Sequence, residues 1–379
     1  MKIKYFHQGL WPSNSPSTTF VTFNTLGFYK NNYNFELIIT RNSKENKQVT
    51  LKTKFDIKES LPIHLLNAGP LKRKHPIVYL LAISYLLNKE FDVLITRNLS
   101  FLSYALILKK IKKFKLIYES HDFYSDLKLR NNVREKPPYK QMKQEHKYLP
   151  RVDAIICVSE VQKQYYLRYY PEKKILTAVT GIKTHLNYLP KTGFSYNIGY
   201  IGALDLRDYD LDFLMLTFSK VKNNKINFII AGAKNDREYN KIKSIVHKYK
   251  LSSRVTIKSW MSPKQVEKLK SEIDIGCAPM IKNERNKICS PLKVLEYLSA
   301  GIPALATNLE GIEYIIKNGK NGFTMDNDPG KWAALIDKLY SNFEFYHKLS
   351  VGCLETARHF SWEQRTRTIH NFLETEFNF

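Results

Sequence analysis

The sequence predicts an α/β protein made of two Rossmann-like, doubly wound domains, and three observations support this fold class. The chain of 379 residues is too long for a single hydrophobic core and suits two domains of about 150–200 residues each. Hydrophobic residues make up 43% and charged residues 25% of the chain, as in globular proteins. Short β-rich segments alternate with amphipathic helical segments, and this alternation stops once and then restarts. Strand–helix–strand alternation requires parallel strands with right-handed crossovers.

The first domain is predicted over residues 1–185. Its strands are expected at residues 2–6, 35–40, 61–66, 91–96, 115–120 and 154–159, and its helices near residues 17–30, 76–88, 100–113 and 138–148. The pattern breaks around residues 183–197, where turn-forming residues without periodicity indicate an interdomain linker.

The second domain is predicted over residues 197–379, with the last helix able to pack back on the first domain. Its strands are expected at residues 197–204, 226–233, 254–259, 274–279 and 302–307. Several of these segments are continuously apolar, which is typical of parallel strands that are covered on both faces. Two such domains would face a central cleft, with ligands bound beyond the carboxyl ends of the strands.

The chain carries a formal charge of +25, and its first half is the more basic one. Residues 1–190 contain 32 Lys and Arg against 14 Asp and Glu, a net +18, whereas residues 191–379 contain 28 against 21, a net +7. Such an excess of positive charge indicates an anionic partner, which could be nucleic acid, anionic lipid headgroups or phosphorylated substrates. A lysine-rich genome is the alternative explanation of the average charge.

The cysteines and the apolar segments indicate the cellular compartment of the protein. Four cysteines without C-x-x-C pairs or metal-ligand spacing argue for a reducing compartment and against a disulfide framework. The basic start of the chain lacks the apolar core of a signal peptide. The longest apolar run, residues 77–87, is about half as long as a membrane span. These features predict a cytoplasmic protein.

The residues that are most typical of a ligand-binding site surround one predicted helix of the second domain. Ser290 is predicted to be its N-cap, Pro291 its first residue, and Gly301 its end. Free N–H groups at the N-terminus of a helix favour a phosphate group. Lys293 and Glu296 lie three residues apart on one face, where they suit a diphosphate and the hydroxyls of a ribose. The alternative is an ordinary capped helix with a solvated Lys–Glu pair.

This segment, SPLKVLEYLSAGIP, resembles the nucleotide-sugar site of the retaining GT-B glycosyltransferases of the group 1 or family 4 type. The similarity extends along the chain through FDVLITRN, YESHD, ICVSE, IGYIGAL, IIAGA, GKNGFTM and FSWE. It implies a hexosyltransferase-type glycosyltransferase (EC 2.4) with a GT-B fold and a UDP- or GDP-linked sugar as donor. By this resemblance the first domain binds the acceptor and the second domain binds the nucleotide sugar.

The resemblance also implies roles for individual residues of the second domain. Lys293, which is expected to be exposed, would contact the donor diphosphate, and Glu296 would contact the ribose. Arg207 and the turn at Gly202 would lie beside the phosphates. The donor site is completed by the residues at the start of the helix, namely Ser290, Pro291 and Leu292.

The sequence departs from the family pattern at one position and predicts no metal. Many members have a further glutamate eight residues before Glu296, near the transferred sugar, but here that position is Ile288 and Glu284 lies in a different register. Three D-x-D tripeptides occur, at residues 208–210, 210–212 and 326–328, and they are interpreted as helix caps and surface acids. No metal and no cofactor are expected.

In the first domain, YESHD places His121 at the carboxyl end of a predicted strand. The resemblance implies that His121 faces the donor sugar and acts as a catalytic residue, donating a hydrogen bond to the leaving phosphate. Asp122 would orient the ring or cap the following helix. Gly9, at the end of the first strand, would let the backbone approach the donor or the acceptor. Retention by front-face attack, without a side-chain nucleophile, is implied by the resemblance.

Lys109, Lys110, Lys112 and Lys113 lie beside leucines and isoleucines in LILKKIKKFK. At about 1 kcal/mol per basic residue near an anionic leaflet, they predict peripheral docking on the inner face of the cell membrane; a solvated helix face is the alternative. The resemblance implies glycan or lipid-linked acceptors, as in cell-envelope polysaccharide, lipopolysaccharide or glycolipid biosynthesis. Two other classes stay open: a nucleotide-sugar epimerase, and a basic nucleic-acid-binding protein, although no nucleic-acid-binding motif is present and no nucleic-acid partner is expected.

Overall fold

The computed structural model describes residues 1–130, 138–184, 188–204 and 206–379. The chain divides into two compact units, with residues 1–181 and 361–379 in unit 1 and residues 182–360 in unit 2. Within the predicted linker, residues 185–187 lie outside the described part of the chain.

Unit 1 is built on a seven-stranded parallel sheet in the order β3-β2-β1-β4-β5-β6-β7. Its strands are β1 Ile3–Trp11, β2 Phe35–Arg41, β3 Ile63–Leu66, β4 Val93–Thr96, β5 Lys115–Ser120, β6 Ala154–Cys157 and β7 Lys174–Thr177. The strand order reverses between β1 and β4. In open α/β sheets ligands bind at this switch point, outside the carboxyl ends of the strands.

In the described part of unit 1, seven α-helices cover the sheet. They are α1 Pro16–Lys30, α2 Lys47–Phe55, α3 His75–Leu87, α4 Leu99–Leu108, α5 Tyr139–Tyr148, α6 Glu160–Tyr169 and the C-terminal α15 Trp362–Phe377. The last helix packs on α1 at Gly27, where a Cβ atom would lie only 2.5 Å from the carbonyl oxygen of Trp362. Glycine at this position therefore permits the close contact of the two helices.

Unit 2 contains a six-stranded parallel sheet in the order β10-β9-β8-β11-β12-β13. Its strands are β8 Asn197–Ile201, β9 Asn227–Ala233, β10 Val255–Ser259, β11 Ile275–Ala278, β12 Ala304–Thr307 and β13 Gly322–Met325. The switch point of this sheet lies between β8 and β11. Buried Asp274, directly before β11, accepts hydrogen bonds from Lys191 and from the backbone N–H groups of Ser195 and Asn197, which fixes the entry of the chain into unit 2.

The helices of unit 2 are α7 Leu211–Ser219, α8 Asp236–Lys248, α9 Pro263–Ser271, α10 Glu284–Ile288, α11 Leu292–Ser299, α12 Glu310–Glu313, α13 Pro329–Ser341 and α14 Phe343–Arg358. Apolar residues of the sheet, among them Ile198 and Ile230, are buried together with helix residues such as Trp332 on α13. In the described part of the chain, no helix is both long and apolar enough to cross a bilayer.

The two parallel sheets confirm the predicted α/β class, and each predicted strand is present. Several described elements were not predicted, among them the helices α2 and α6 and the short edge strands β7 and β13. β1 also runs further than expected, to Trp11, because a register shift between His7 and Leu10 accommodates extra residues opposite β2. The helix expected to reach residue 113 ends at Leu108.

Candidate functional site

The helix α11 begins one residue later than predicted. Pro291, not Ser290, occupies the N-cap position, with φ −78° and ψ 79°, and no side chain caps the helix. The amides of Leu292, Val294 and Leu295 are already bonded to the carbonyls of Ser290 and Pro291. Ser290 is therefore not a capping residue; its hydroxyl is buried without a hydrogen-bond partner among the described residues.

The end of α11 is as predicted. Gly301 has φ +68°, and its N–H donates to Leu298 while the N–H of Ile302 donates to Tyr297. These two bonds form a Schellman motif, in which glycine adopts the left-handed conformation without a steric penalty. The Tyr297 hydroxyl accepts from the N–H of Ile201 at 2.9 Å, which anchors α11 to the end of β8.

Lys293 is buried, and the expectation of an exposed lysine is wrong. Its residue exposure is 9%, and its Nζ lies 3.3 Å from the ring centroid of Tyr200 and 3.9 Å from that of Tyr209. No described group accepts a hydrogen bond from this ammonium. Burial lowers the pKa of Lys293 well below its usual value, although Glu296 partly counteracts this shift. Leu292 and Glu296 lie on the solvent-exposed face of α11. The Lys293 side chain instead points toward the loop after β8.

Gly202 lies next to Lys293, as the predicted donor site requires. Its φ is +141°, and a Cβ atom there would lie 2.9 Å from the Nζ of Lys293. A side chain at this position would therefore be strained and would also displace the ammonium. The structure brings the turn after β8 and the first turn of α11 together at the switch point of unit 2.

Arg207 is exposed in the turn that follows β8, and neighbouring backbone contacts fix the position of this turn. The N–H of Ile281 donates to the carbonyl of Asp208 at 3.0 Å, and the N–H of Asp210 donates to that of Pro279 at 2.8 Å. Arg285 adds an ion pair with Asp208. The loop that carries Arg207 is thus held on the loop after β11, at the same edge of the sheet.

The acidic residues near the site have structural partners. Asp210 and Asp328 accept hydrogen bonds at the N-termini of α7 and α13, which confirms that the D-x-D tripeptides contain helix caps. Ile288 is buried, and Glu284 pairs with Lys287 at 2.7 Å. Across the described residues there is no group of three or more His, Cys, Asp and Glu side chains placed to bind a metal ion.

In unit 1, His121 follows β5 directly and is half-buried. Its Nε2 lies 2.9 Å from the Oε1 of Glu119, a fully buried carboxylate that also accepts from Tyr5 at 2.8 Å and from Arg365 at 2.6 Å. Burial alone would raise the pKa of Glu119, but Arg365 and His121 outweigh it and hold this pKa below its usual range. Burial and the charge of Arg97 lower the pKa of His121 to about 4. The histidine is therefore neutral at physiological pH.

The partner of His121 determines which ring nitrogen carries the proton. Because ionised Glu119 can only accept, Nε2 donates to it and the outward Nδ1 is an acceptor. In this tautomer Nδ1 suits a sugar hydroxyl and does not suit a phosphate oxygen. Glu119 therefore orients the ring in the free chain. The expected role of His121 as a donor to the leaving phosphate stays a prediction.

The loop after β5 is held by a buried polar network. Glu145 on α5 accepts hydrogen bonds from the N–H of Tyr124, the hydroxyl of Ser125 and the hydroxyl of Tyr166. Burial raises the pKa of Glu145 to about 7. Ser120 in turn bonds to Tyr166 on α6 at 2.8 Å. These contacts fix the backbone on both sides of His121.

Gly9 lies at the register shift near the end of β1. A Cβ atom at Gly9 would lie 2.5 Å from the Nε2 of His7, so glycine is needed there to admit the His7 ring.

The sequence analysis assigned no role to three charged residues near the rings of His7 and His121, namely Glu119, Arg97 and Arg365. Glu119 in KLIYES and Arg97 in FDVLITRN are charged residues inside otherwise apolar segments, and this was the available signal.

The four lysines predicted to dock on a membrane divide into two pairs. Lys109 forms an ion pair with Asp153 at 2.5 Å, and Lys112 donates to the carbonyls of Leu86, Leu87 and Lys89 at the end of α3. Both are therefore engaged within unit 1. The other two, Lys110 and Lys113, are exposed.

Two family models match the chain, "Glycosyltransferase Family 4" over residues 31–186 and "Glycosyl transferases group 1" over residues 195–342. Among curated proteins, D-inositol 3-phosphate glycosyltransferase of Nocardioides sp. is 34% identical over 77 residues, which are 20% of this chain and 17% of that protein. Chitobiosyldiphosphodolichol beta-mannosyltransferase of Candida albicans is 21% identical over 289 residues, which are 70% of this chain and 61% of that protein. The chain thus covers less than two thirds of the length of either relative.

Solved structures match nearly the whole chain. Sucrose-phosphate synthase from Thermosynechococcus elongatus has a TM-score of 0.76 at 15% identity, covering 100% of this chain and 99% of that one. A glycosyltransferase from Rickettsia africae has a TM-score of 0.71 at 18% identity, with coverage of 100% and 99%. Anabaena HepE in complex with UDP and glucose has a TM-score of 0.70 at 13% identity, with coverage of 99% and 100%. These likenesses confirm the predicted fold.

Proposed function

Because the chain belongs to the group 1 and family 4 glycosyltransferases, we propose that it transfers a sugar from a nucleoside diphosphate donor to a glycan or lipid-linked acceptor, with retention of anomeric configuration. The Lys293 ammonium carries this proposal, because it is buried beside Gly202 at the switch point of unit 2 without a hydrogen-bond partner among the described residues. An unpaired buried cation is costly. A diphosphate would supply the missing negative charge through charge-assisted hydrogen bonds.

Further groups of unit 2 complete the proposed donor site. The buried hydroxyl of Ser290 has no hydrogen-bond partner in the described part of the chain and would donate to a phosphate oxygen. Arg207, in the loop fixed after β8, would neutralise phosphate charge, and exposed Glu296 would accept from the ribose hydroxyls. Among similar structures, Anabaena HepE was solved with UDP-glucose and Staphylococcus aureus TarM with UDP, which supports UDP as the first donor nucleotide to test.

The proposed reaction needs no nucleophilic side chain. The bond between the anomeric carbon and the β-phosphate oxygen breaks, and the acceptor hydroxyl attacks the same face of the sugar. The hydroxyl proton passes to an oxygen of the departing phosphate. Lys293 and Arg207 would stabilise the charge that develops on this phosphate. The Nδ1 of His121 would accept a hydrogen bond from a sugar hydroxyl and hold the ring in place.

An acceptor attached to a membrane is part of the proposal, with the protein on the cytoplasmic side. Exposed Lys110 and Lys113 stand beside Ile107 and Ile111, whose exposures are 61% and 69%. On α3, which packs against α4, Leu80 is 59% exposed. Exposed basic and apolar side chains on neighbouring helices suit an anionic lipid surface, because the apolar groups enter the interface while the lysines pair with headgroups.

Nucleotide binding tests the donor assignment. UDP and GDP are compared in thermal unfolding of the full chain, since a ligand at 100 times its dissociation constant stabilises by about 2.7 kcal/mol. One of them is expected to raise the unfolding temperature of the wild type, and Glu296→Gln is expected to reduce this shift. Glu313→Gln, a similarly exposed change on α12, is the matched control. If neither nucleotide stabilises the wild type, the proposed function is wrong.

A further inference from the structure

A second unpaired cation lies in unit 1, at the carboxyl end of β4. Arg97 directly follows this strand, and its guanidinium lies 5.2 Å from the ring centroid of Phe20. It is partly exposed. Within the described residues, no carboxylate or carbonyl accepts a hydrogen bond from it. Arginine presents five N–H donors in a planar arrangement, and here their partners are missing.

Arg365, on α15, reaches the same ring from the interior. Its side chain is 1% exposed, and its guanidinium also lies 5.2 Å from the Phe20 centroid. Nη2 donates to Glu119, but Nε and Nη1 are buried and have no partner among the residues that the structure describes. His7, at 4% exposure, adds an unpartnered Nδ1. Buried polar groups are nearly always hydrogen-bonded, so several buried polar atoms without a partner at one place indicate a missing ligand or solvent.

The charges around Phe20 do not balance. Arg97 and Arg365 are both cationic, whereas Glu119 is the one carboxylate that bonds to this cluster. Burial and the charge of Arg97 lower the pKa of His7 to about 3, and His121 is likewise neutral, so neither histidine adds charge. The cluster therefore has one positive charge more than its carboxylate compensates.

The cluster lies where a ligand can reach it. β1, β4 and β5 are adjacent in the sheet, and His7, Arg97 and His121 all lie near their carboxyl ends, at the switch point of unit 1. Ser17, in the first turn of α1, lies 3.3 Å from the Nε2 of His7. Gly9 offers no side chain on this side. Arg97, Ser17 and His121 are partly exposed, whereas Arg365 and His7 are buried behind them.

We propose that Arg97, with Arg365 and His7 behind it, binds an anionic group of the acceptor, either a phosphate or a carboxylate, close to the hydroxyl that receives the sugar. This inference rests on the proposed function, because it assigns the substrate class of the same reaction. A planar guanidinium bonds both kinds of oxyanion in bidentate fashion. The donor diphosphate is the other possible source of the anion, and the experiment separates the two sources.

The test is a calorimetric titration of sn-glycerol 3-phosphate into the full chain saturated with UDP, so that the donor site is occupied. The wild type is expected to bind the phosphate, and glycerol is expected not to bind. Arg97→Gln should weaken binding about tenfold or more, because a charge-assisted pair is lost. Arg151→Gln is the matched control, since Arg151 is exposed and precedes β6 at the opposite edge of the sheet.

Three results would overturn the inference. The wild type could fail to bind the phosphate, or the two arginine variants could lose equal affinity. Alternatively, Arg97→Gln could weaken UDP binding by the same factor, which would assign the cluster to the donor diphosphate. In the first two cases, intact UDP binding leaves the proposed function standing. Arg97 makes no hydrogen bond to the described residues, so the variant is expected to fold, and an unchanged melting temperature confirms this.

Discussion

Replacing Lys293 by methionine is expected to make the protein more stable and to remove its activity. In the free chain the ammonium is buried against the rings of Tyr200 and Tyr209, and no residue that the structure describes accepts a hydrogen bond from it. Methionine has a similar length and no charge, and its sulfur packs well on aromatic rings. The substitution therefore removes a destabilising group from unit 2 and, at the same time, the proposed contact with the diphosphate.

The size of the gain follows from the protonation of Lys293. A buried amine whose pKa is strongly lowered can lose its proton, so at pH 7 its charge costs at most about 5 kcal/mol. Two cation–π contacts return about 1–2 kcal/mol each. The net gain for Lys293→Met is then about 1–3 kcal/mol, which raises the unfolding temperature by about 3–9 °C for a unit of this size.

The stability gain also depends on pH in a defined direction. Between the lowered pKa of Lys293 in the folded state and its usual value, the unfolded chain binds more protons than the folded chain. The stability of the wild type, relative to Lys293→Met, therefore increases as the pH rises from about 7 to 9. The advantage of the variant should shrink over this range.

The assay is thermal unfolding of both proteins at several pH values, with and without UDP, together with donor turnover. Lys270→Met is the matched control, because Lys270 is equally buried but pairs with Glu267 at 2.9 Å. That variant should lose stability or stay unchanged. If Lys293→Met is less stable than the wild type by more than about 1 kcal/mol, or if UDP stabilises it as strongly as the wild type, the reasoning about this site fails.

Two further predictions concern unit 1. His121 is neutral at physiological pH, so kcat/KM should not fall as the pH is lowered from about 8 to 5.5. A fall in kcat/KM near the usual pKa of histidine that is absent in His121→Asn would contradict the assigned tautomer. Lys110→Gln with Lys113→Gln should weaken binding to phosphatidylglycerol vesicles about 30-fold, at about 1 kcal/mol per lysine. Lys222→Gln with Lys225→Gln, both exposed in unit 2, should leave vesicle binding unchanged, and an equal loss in both pairs would rule out a specific docking face.

The fold could be predicted from the sequence because its central strands are continuously apolar. Segments such as residues 35–40 and 91–96 are buried on both faces and contrast clearly with their polar flanks. The edge strands β7 and β13 have four residues each and a mixed composition, so they lack this contrast. The pairing of an edge strand depends on a neighbour that is distant in sequence, and a local pattern does not contain this information.

The site was only partly predictable, for a similar reason. The motif around Ser290 correctly identified α11, and Lys293 does lie beside Gly202. Whether a lysine at the start of a helix faces solvent depends on the loop that covers it, here the one that carries Tyr209. No spacing within the motif indicates that aromatic ring. The position of Arg365 against Glu119 is still less visible, because the two residues are far apart in the sequence.

The two units share one electrostatic property. Each has a cation at the switch point of its sheet that lacks a hydrogen-bond partner among the described residues, Lys293 in unit 2 and Arg97 in unit 1. Burial of the Lys293 ammonium lowers the stability of the free protein and increases the binding energy of an anion, because the ligand relieves an unfavourable desolvation that the fold has already imposed. A lysine buried between aromatic rings suits a diphosphate that enters and leaves in every cycle. A partly exposed arginine can instead select acceptors by a charge next to the reacting hydroxyl, which makes substrate charge the property of the acceptor to vary first.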